Sequence, residues 1–352
     1  MAKFFAKANR PWLVGILFAL TLPTSAEIYL RHKGELPRRD GGAPTLRNEP
    51  SEHDERLLIN RRLLHPRLGW VNPIGKVPAQ EGCPEDSTVW TNGQRASRPT
   101  SAEKAGAHKR VALIGCSFTF GTGVRDSETF AWVLNQRFPN ITFDNLGVEG
   151  YGTCQSLLHM LQEDENQHKH YDAYIYSAIF DHYFRNISDH PLVTGDGFIY
   201  IYPGFRPGHI EDARLQESNW YGERSAAFIF YLHKLDLWLR MERNSFWREH
   251  IPYEWQPSTF SLANDTISAM NEYAHSHGSQ FACAIFDAPT WERLNPPLQE
   301  AGIATIEAIL MGQDHPECFN QVEGRAQHPN AAGHRFFAER IGTWIANNPQ
   351  LQ

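Results

Sequence analysis

A cysteine and a serine, two nucleophilic side chains, stand side by side where an apolar run ends. The run is RVALIGC, it ends at Cys116, and Ser117 follows as the first residue of the glycine-containing stretch SFTFGTGV. A serine just after a buried strand can present its hydroxyl to a ligand while its own amide faces a developing oxyanion. The alternative without chemistry is a serine that caps a helix or lies in a turn. The G-x-S-x-G nucleophile elbow is absent, because Thr119 occupies the place of its second glycine.

A histidine near the C-terminus is the second candidate for chemistry. His328 lies in QHPNAAGHR and precedes Pro329, which disfavours a helical conformation for the residue before it. Asn330 can then cap the helix that follows. A histidine held on such a turn can act as general base toward a hydroxyl that the fold brings near. The alternative is a surface histidine in a turn.

Continuous apolar runs alternate with helical patterns after residue 110. The apolar runs are RVALIGC, ITFDNLGV, YDAYIYSAIF and GSQFACAIFD, and the helical patterns are SETFAWVLNQRF, TCQSLLHMLQEDE and AAGHRFFAERIGTWIANN. This alternation predicts an α/β domain with a parallel sheet that is covered on both faces. Ligands of such sheets bind beyond the carboxyl ends of the strands, which is where Ser117 is expected.

Residues 1–30 have the pattern of a signal peptide or N-terminal membrane anchor. Basic residues precede the uncharged run WLVGILFALTL, which has the length of a signal-peptide core, and TSA offers small residues for cleavage. Read on to Leu30, the segment is marginally long enough to span a bilayer; a buried core helix is the third alternative. A basic flank keeps the N-terminus on the cytoplasmic side of the membrane. We therefore expect the rest of the chain at the periplasmic or extracellular face, anchored by residues 12–30 or released by cleavage.

Composition divides the remaining chain. Residues 31–105 are rich in arginine, proline, glycine and serine and predict a linker and lead-in segment, whereas residues 106–352 hold the predicted α/β domain. An aromatic-rich excursion at about residues 185–260 predicts an insertion that folds over the sheet edge or the site, since structureless loops of that length are rare.

Charge and spacing argue against two classes of function. The net charge of −7 gives no broad basic field, so we expect no nucleic-acid partner. The H-x-H pairs at positions 168/170 and 275/277 have no acidic cluster beside them, and the five cysteines form no CxxC pair. We therefore expect neither a metal nor a cofactor, and surface positions for these histidines.

Three blocks in a fixed order resemble the SGNH (GDSL-type) hydrolase family over roughly residues 110–345. They are IGCSFTFGTGV, NLGVEGYGTCQS and HPNAAGH. The likeness is closest to the exported, membrane-anchored branch, whose lead-in carries phrases similar to HPRLGW and TNGQRAS. The resemblance implies a flavodoxin-like three-layer α/β/α sandwich and acyl-ester chemistry. It also implies Ser117 as nucleophile, His328 as base, and an oxyanion hole made by the amides of Ser117 and Gly150.

Two cysteines replace acids of the family pattern. Cys116 stands where Gly-Asp-Ser has its aspartate, so it holds a position that is not the nucleophile's, and Cys154 turns the family's GTDQ into GTCQ. Both positions are expected near the end of the first strand. One hypothesis is a Cys116–Cys154 disulfide, which export permits, and the alternative is two separate buried thiols.

Two further departures concern the catalytic groups. The third block of the family supplies an asparagine to the oxyanion hole, and SAIFDHYFRN has none; His182 is the expected substitute, with Asp181 as the alternative. The triad acid normally lies three residues before the histidine, where this chain has Arg325, and a cation cannot orient the imidazole. Glu323 is the candidate acid; otherwise a backbone carbonyl orients the ring in a Ser–His dyad.

Two functions from different classes fit these observations. The first is an exported serine esterase or O-acyltransferase that acts on ester-linked acyl groups of a small molecule or a glycan. A carbohydrate is favoured by the family branch and by aromatic residues such as Trp220, Tyr221 and Trp238. The second is a non-catalytic binding or assembly component of an envelope or polysaccharide pathway, which the replaced acid and asparagine favour.

Overall fold

The computed structural model describes residues 58–59, 62–65, 68–77, 86–167, 170–186, 259–322 and 325–352, together with five short strands between residues 192 and 216. The predicted targeting segment, residues 1–30, and most of the predicted insertion lie outside the described residues. Within them, no helix combines the length and the apolar character that crossing a membrane requires.

The chain divides into two compact units. The first comprises Met1–Thr45, His190–Ile201 and Leu215–Gln256, and the second comprises the remainder. The short strands Leu192–Val193, Ile199–Ile201 and Arg214–Gln216 form a small sheet that contains the described residues of the first unit. The elements that position the candidate site all belong to the second unit.

The bounds of the elements are as follows, in chain order: β1 Leu58–Ile59, β2 Arg62–His65, β3 Gly69–Val71, β4 Gly75–Val77, β5 Ser87–Val89, β6 Lys109–Gly115, α1 Ser117–Phe120, α2 Phe130–Arg137, β7 Ile141–Gly147, α3 Thr153–Gln167, β8 Ala173–Ala178, α4 Asp181–Asn186, β9 Leu192–Val193, β10 Ile199–Ile201, β11 Phe205–Arg206, β12 His209–Ile210, β13 Arg214–Gln216, α5 Thr259–Ser276, β14 Gln280–Ile285, α6 Ala288–Glu300, β15 Ala304–Glu307, β16 Phe319–Val322, β17 Arg325–Pro329 and α7 Ala331–Ala346.

A five-stranded parallel sheet is the centre of the second unit. Its spatial order is β15-β14-β8-β6-β7, and every neighbouring pair runs parallel. Numbered along the chain within this sheet, the order is 2-1-3-4-5, which is the flavodoxin-like doubly wound order. The order reverses at β6, which pairs with both β7 and β8, and a ligand is expected beyond the carboxyl end of the strands at that point.

Helices cover both faces of this sheet because alternate strand residues point to opposite sides. Val111 and Leu113 pack with α2 and α7 on one face, and Ala112 and Ile114 pack with α3, α5 and α6 on the other. Burying an aliphatic side chain of this size stabilises a fold by about 1.5–3 kcal/mol. The predicted flavodoxin-like three-layer α/β/α sandwich with a parallel sheet is therefore confirmed.

The lead-in packs on the outer edge of β7. The amide of Arg95 donates to the carbonyl of Asn145 at 3.1 Å, and the hydroxyl of Ser97 donates to the carbonyl of Phe143 at 2.8 Å. These bonds occupy backbone groups that an edge strand would otherwise leave unpaired. The described residues of the lead-in belong to the same compact unit as the sheet.

Buried charge also joins the lead-in to the sheet. The carboxylate of Asp144 on β7 is 1% exposed and lies 2.6 Å from the guanidinium of Arg98 and 2.8 Å from that of Arg110. Removing one partner of such a buried pair typically costs 3–5 kcal/mol, because it leaves an uncompensated charge. Periodicity gives no sign of these contacts, since their partners lie far apart in the sequence.

Candidate active site

Ser117 begins a short helical turn at the carboxyl end of β6. Cys116 before it is extended, with φ −99° and ψ −150°, and the turn α1 ends at Gly121 in a left-handed conformation. The amides of Gly121 and Thr122 both donate to the carbonyl of Ser117, at 2.9 and 3.0 Å. This turn places Ser117 at the point where the strand order reverses, and its side chain is nearly buried.

Two glycines let this turn lie directly on the sheet. A Cβ atom at Gly147 would overlap the backbone nitrogen of Phe120, and one at Gly115 would overlap the hydroxyl oxygen of Thr119. The side-chain amide of Asn145 donates to the carbonyl of Thr119 at 2.8 Å, and its oxygen accepts from the amide of Gly147 at 2.9 Å. Residues of β6 and β7 therefore hold the serine turn through backbone atoms.

His328 lies on β17 with its imidazole against the serine. Nε2 of His328 is 3.0 Å from Oγ of Ser117, although 211 positions separate the two residues. The ring also packs against Phe118, with 5.8 Å between ring centroids. Nε2 accepts the serine proton when the imidazole is neutral and carries its own proton on Nδ1. The hydrogen-bonded nucleophile and base that the sequence predicts therefore lie together.

Burial keeps His328 in the form that can accept a proton. Burial is the main cause that lowers the pKa of His328 below its ordinary value, and the positive charge of Arg185 also lowers it. The carboxylates of Glu149 and Asp181 act in the opposite direction and favour the imidazolium. The net shift leaves His328 predominantly neutral at neutral pH.

The orienting acid is the weakest part of the arrangement. In the described part of the chain, no group accepts a hydrogen bond from Nδ1 of His328. Glu323, the candidate acid, lies outside the described residues. The backbone of Arg325 begins β17, where it pairs with Val322 of β16.

Two backbone amides are available for an oxyanion. Gly150 has φ +80° and lies in the loop after β7, and this loop is tied to β6 by a 3.0 Å bond from the amide of Val148 to the carbonyl of Gly115. Neither the amide of Ser117 nor that of Gly150 donates to any residue that the structure describes. An oxyanion hole needs donors that are not otherwise bonded, and the roles of these two amides stay a prediction.

His182 is a buried, neutral imidazole on α4. Burial, followed by the charge of Arg185, lowers the pKa of His182 well below its ordinary value. Nδ1 of His182 lies 2.5 Å from the hydroxyl oxygen of Tyr176, which also forms a 3.0 Å hydrogen bond with the hydroxyl of Thr153. Nε2 has no partner within the described ranges. It is a donor only in the tautomer in which Nδ1 accepts from Tyr176, and its place in the oxyanion hole stays a prediction.

Asp181, the alternative to His182, is exposed and lies 3.4 Å from the guanidinium of Arg185. An ionised carboxylate cannot donate to an oxyanion. This observation favours His182 between the two candidates.

The hypothesis of a Cys116–Cys154 disulfide is wrong, because Cys116 and Cys154 are both free thiols. Cys116 packs in the apolar cluster with α2 and α7, whereas Sγ of Cys154 lies 3.7 Å from the hydroxyl of Thr266 on α5. The two side chains therefore contact helices on opposite faces of the sheet. The alternative of two separate buried thiols is the one observed.

Sequence reasoning missed two neighbours of the site. The carboxylate of Glu149 accepts from the hydroxyl of Thr122 at 2.5 Å, next to the serine turn. The indole N–H of Trp70 donates to the carbonyl of Glu149 at 2.8 Å. The adjacency of Glu149 to Gly150 in NLGVEGYGTCQS was a usable signal for the first, whereas the second is a contact between distant segments.

Comparison with known proteins adds a set of similar structures. No family model and no curated protein matches the chain. It is similar to a member of the lipolytic protein G-D-S-L family from Veillonella parvula, with 12% identity, 68% of this chain and 99% of that chain covered, and a TM-score of 0.38. It is also similar to a catalytic mutant of an acetylxylan esterase from Geobacillus stearothermophilus, with 12% identity, 71% and 99% covered, and a TM-score of 0.37.

A psychrotrophic esterase from Pseudoalteromonas sp. is similar at 10% identity, with 68% of this chain and 100% of that chain covered and a TM-score of 0.37. The G-D-S-L family is the one that the three sequence blocks resemble, and these comparisons do not address its membrane-anchored branch. Structural similarity at these TM-scores does not indicate which reaction this chain catalyses. Only the geometry of the site bears on that question.

Proposed function

We propose that this chain is a serine esterase or O-acyltransferase with Ser117 as nucleophile and His328 as general base. The observation that carries the proposal is the 3.0 Å contact between Oγ of Ser117 and Nε2 of His328. A serine hydroxyl is a weak nucleophile until an adjacent base removes its proton, and a neutral histidine is the usual base. The depressed pKa of His328 keeps that base available at neutral pH.

The reaction proceeds through an acyl-enzyme. Oγ of Ser117 attacks the ester carbonyl while its proton passes to Nε2 of His328, and the resulting oxyanion binds the amides of Ser117 and Gly150. The imidazolium then returns its proton to the leaving alcohol, and the acyl group remains on Ser117. Water or a second hydroxyl, deprotonated by His328, releases the acyl group as acid or as a new ester. Hydrolysis and transfer thus differ only in the acceptor.

The imidazolium needs stabilisation that no described hydrogen-bond acceptor supplies at Nδ1. The charges of Glu149 and Asp181 act on His328 through space, and Glu323 or a backbone carbonyl is the proposed partner of Nδ1. Removing the acid from a serine triad lowers the rate without abolishing it. The proposal therefore expects a slower enzyme than one with a complete triad.

The proposal also covers the class of substrate and the cellular location of the protein. The substrate is an ester-linked acyl group, on a carbohydrate by the sequence resemblance, and the aromatic residues that favour a glycan lie outside the described residues. The basic flank and apolar run of residues 1–30 favour export, with residues 12–30 as membrane anchor or as part of a cleaved signal. Turnover of acetylated glycans and of small esters, measured side by side, tests the substrate class; turnover of long-chain lipid esters alone would exclude a carbohydrate.

Labelling with a fluorophosphonate tests the nucleophile. We expect one adduct on the peptide that contains Ser117, located by mass spectrometry, and no adduct in Ser117→Ala. Cys116→Ala is the matched control, because it removes the adjacent thiol and leaves the hydroxyl in place. An adduct at another residue would reject Ser117 as nucleophile, and labelling that survives His328→Ala undiminished would reject His328 as base.

A non-catalytic binding component is the second candidate. It is favoured by the lack of a described acceptor at Nδ1 of His328. This candidate expects no fluorophosphonate adduct and no turnover of any ester, together with binding of an acylated glycan that Ser117→Ala leaves unchanged. Binding without turnover in the unmodified chain would decide for it.

A further inference from the structure

We propose that the lead-in segment 68–72 sets the direction of the Gly150 amide, with Trp70 and Asn72 as positioning residues of the oxyanion hole. The catalytic part of this inference rests on the proposed function. The indole N–H of Trp70 donates to the carbonyl of Glu149 at 2.8 Å, and the side-chain amide of Asn72 donates to the carbonyl of Gly147 at 2.9 Å. The carbonyl of Glu149 belongs to the loop that contains Gly150, and the carbonyl of Gly147 ends β7 immediately before this loop.

The bond from Trp70 acts on the oxyanion donor through a single rigid peptide group. The carbonyl of Glu149 and the N–H of Gly150 belong to the same peptide plane, and in a trans peptide they point in opposite directions. Among the residues that the structure describes, no peptide bond is cis. Holding the carbonyl with the indole therefore turns the Gly150 N–H to the opposite side, and it does so without bonding to that N–H.

Two further bonds run back to the lead-in, one from the loop and one from the first turns of α3. The hydroxyl of Tyr151 donates to the carbonyl of Trp70 at 2.6 Å, and the side-chain amide of Gln155 donates to the carbonyl of Leu68 at 2.8 Å. The rings of Trp70 and Tyr151 meet edge to face at 5.9 Å. The loop and the segment therefore hold each other at several points.

Burial makes these contacts costly to lose. Trp70 is 4% exposed and Asn72 is 5% exposed, so water cannot easily replace a missing donor. Leaving a buried carbonyl without its partner costs about 1–3 kcal/mol. Since Gly150 has φ +80° and no Cβ that would fix its backbone, its orientation depends on its neighbours.

Three variants of the full chain separate positioning from general stability. Trp70→Phe keeps the ring against Tyr151 and removes the N–H, and Asn72→Ala removes the second donor. Ser97→Ala is the matched control, because Ser97 is equally buried, belongs to the same lead-in and donates to the carbonyl of Phe143 at 2.8 Å. That carbonyl lies in the middle of β7, away from the loop.

The kinetic readout is the separation of kcat from KM with a small ester. Deleting an oxyanion donor lowers kcat about 10²–10³-fold, so a misdirected donor should lower it about 10–100-fold in Trp70→Phe, with KM nearly unchanged. We expect a smaller loss of kcat in Asn72→Ala. Ser97→Ala should lower Tm but leave kcat within about twofold. Equal losses of kcat in Trp70→Phe and Ser97→Ala would overturn the proposal.

Hydrogen exchange gives a readout that does not depend on catalysis. The amides of Val148 and Tyr151 donate to the carbonyls of Gly115 and Val148, so they report whether the loop keeps its conformation. We expect faster exchange at both amides in Trp70→Phe and no change in Ser97→Ala. Unchanged exchange in Trp70→Phe would overturn the proposal even in an inactive protein. Faster exchange with unchanged kcat would overturn the role in the oxyanion hole.

Discussion

Ser117 and His328 are joined by a hydrogen bond, but the structure positions the two residues by different contacts. We call the turn that carries Ser117 the serine side of the site and the imidazole of His328 the histidine side. The serine turn rests on β7 through backbone contacts at Gly147 and the amide of Asn145, and its position is fixed by the sheet. The described contacts of the imidazole of His328 are the hydroxyl of Ser117 and the ring of Phe118. The position of Ser117 is therefore built into the sheet, whereas the described contacts that orient the imidazole of His328 are few.

This difference separates two ways of losing activity. A preorganised turn needs no reorganisation during the reaction, so damage to it should lower stability and rate together. The imidazole of His328 has few described contacts, and changes there should alter the rate more than the stability. Variants on the two sides can therefore be sorted by their effects on Tm and kcat.

Substitution of Ser117 or His328 should lower the activity more than any other change. We expect Ser117→Ala and His328→Ala each to lower kcat/KM at least about 10³-fold, and the double variant to lose little more, because the two residues act as a unit. Tm should change little in His328→Ala. The measurement is the hydrolysis of a small acetyl ester with Tm recorded alongside. Activity above about a tenth of the original in His328→Ala would show that another group is the base.

Gly147→Ala should give the next largest effect and tests the serine side. The new methyl overlaps the backbone nitrogen of Phe120, and backbone cannot move aside as a flexible side chain can. Overpacking of this kind costs typically 1–3 kcal/mol, and we expect a lower Tm together with a lower kcat. Chemical denaturation measures the free energy of unfolding.

Gly278→Ala is the matched control for that variant. Gly278 has φ +76° but open space around it, so alanine there is strained without touching the site. It should cost about 1–2 kcal/mol and leave kcat unchanged. A normal kcat in Gly147→Ala would show that the serine turn tolerates displacement and would remove the contrast between the two sides.

Four of the five central strands could be predicted from the sequence, for a physical reason. A parallel strand buried on both faces reads as a continuous apolar run, as RVALIGC and YDAYIYSAIF do. The fifth, Ala304–Glu307, was missed because it is a short edge strand with one buried residue. The lead-in strands were missed for a related reason, since they are short and carry little periodicity.

The candidate site was partly predictable because its chemistry is concentrated in short motifs. Ser117 and His328 could be named from their blocks, although only the fold brings them to hydrogen-bond distance. The hypothesis of a Cys116–Cys154 disulfide failed because the position of a residue in a motif does not indicate on which face of the sheet its side chain lies. The contact of Trp70 with the carbonyl of Glu149 leaves no trace in the sequence, because any residue can supply that carbonyl.

Glu149→Gln should change the activity least, and it tests how charge acts on His328, the histidine side of the site. Kcat/KM falls as pH drops through the pKa of His328, because the imidazolium cannot accept the serine proton. Burial lowers that pKa, so the acid limb lies below the ordinary histidine value, and the Glu149 carboxylate raises it by favouring the imidazolium. Removing the charge therefore moves the limb to lower pH. Glutamine keeps an oxygen that can accept from Thr122, so the loop should stay in place.

Asp181→Asn is the matched variant, because Asp181 also raises the pKa of His328 but is the smallest of its four causes. We expect the acid limb of the pH profile to move to lower pH in each variant, with the larger shift in Glu149→Gln. The plateau value of kcat should fall modestly in both, because the imidazolium of the transition state loses a stabilising charge. The measurement is kcat/KM as a function of pH at constant ionic strength. A limb that stays in place or moves to higher pH in Glu149→Gln would mean that Glu149 does not act on His328 through its charge. A hydrogen-bond partner at Nδ1 would then be the group that stabilises the imidazolium of His328. In that case the base would be positioned by the fold, as the serine turn is.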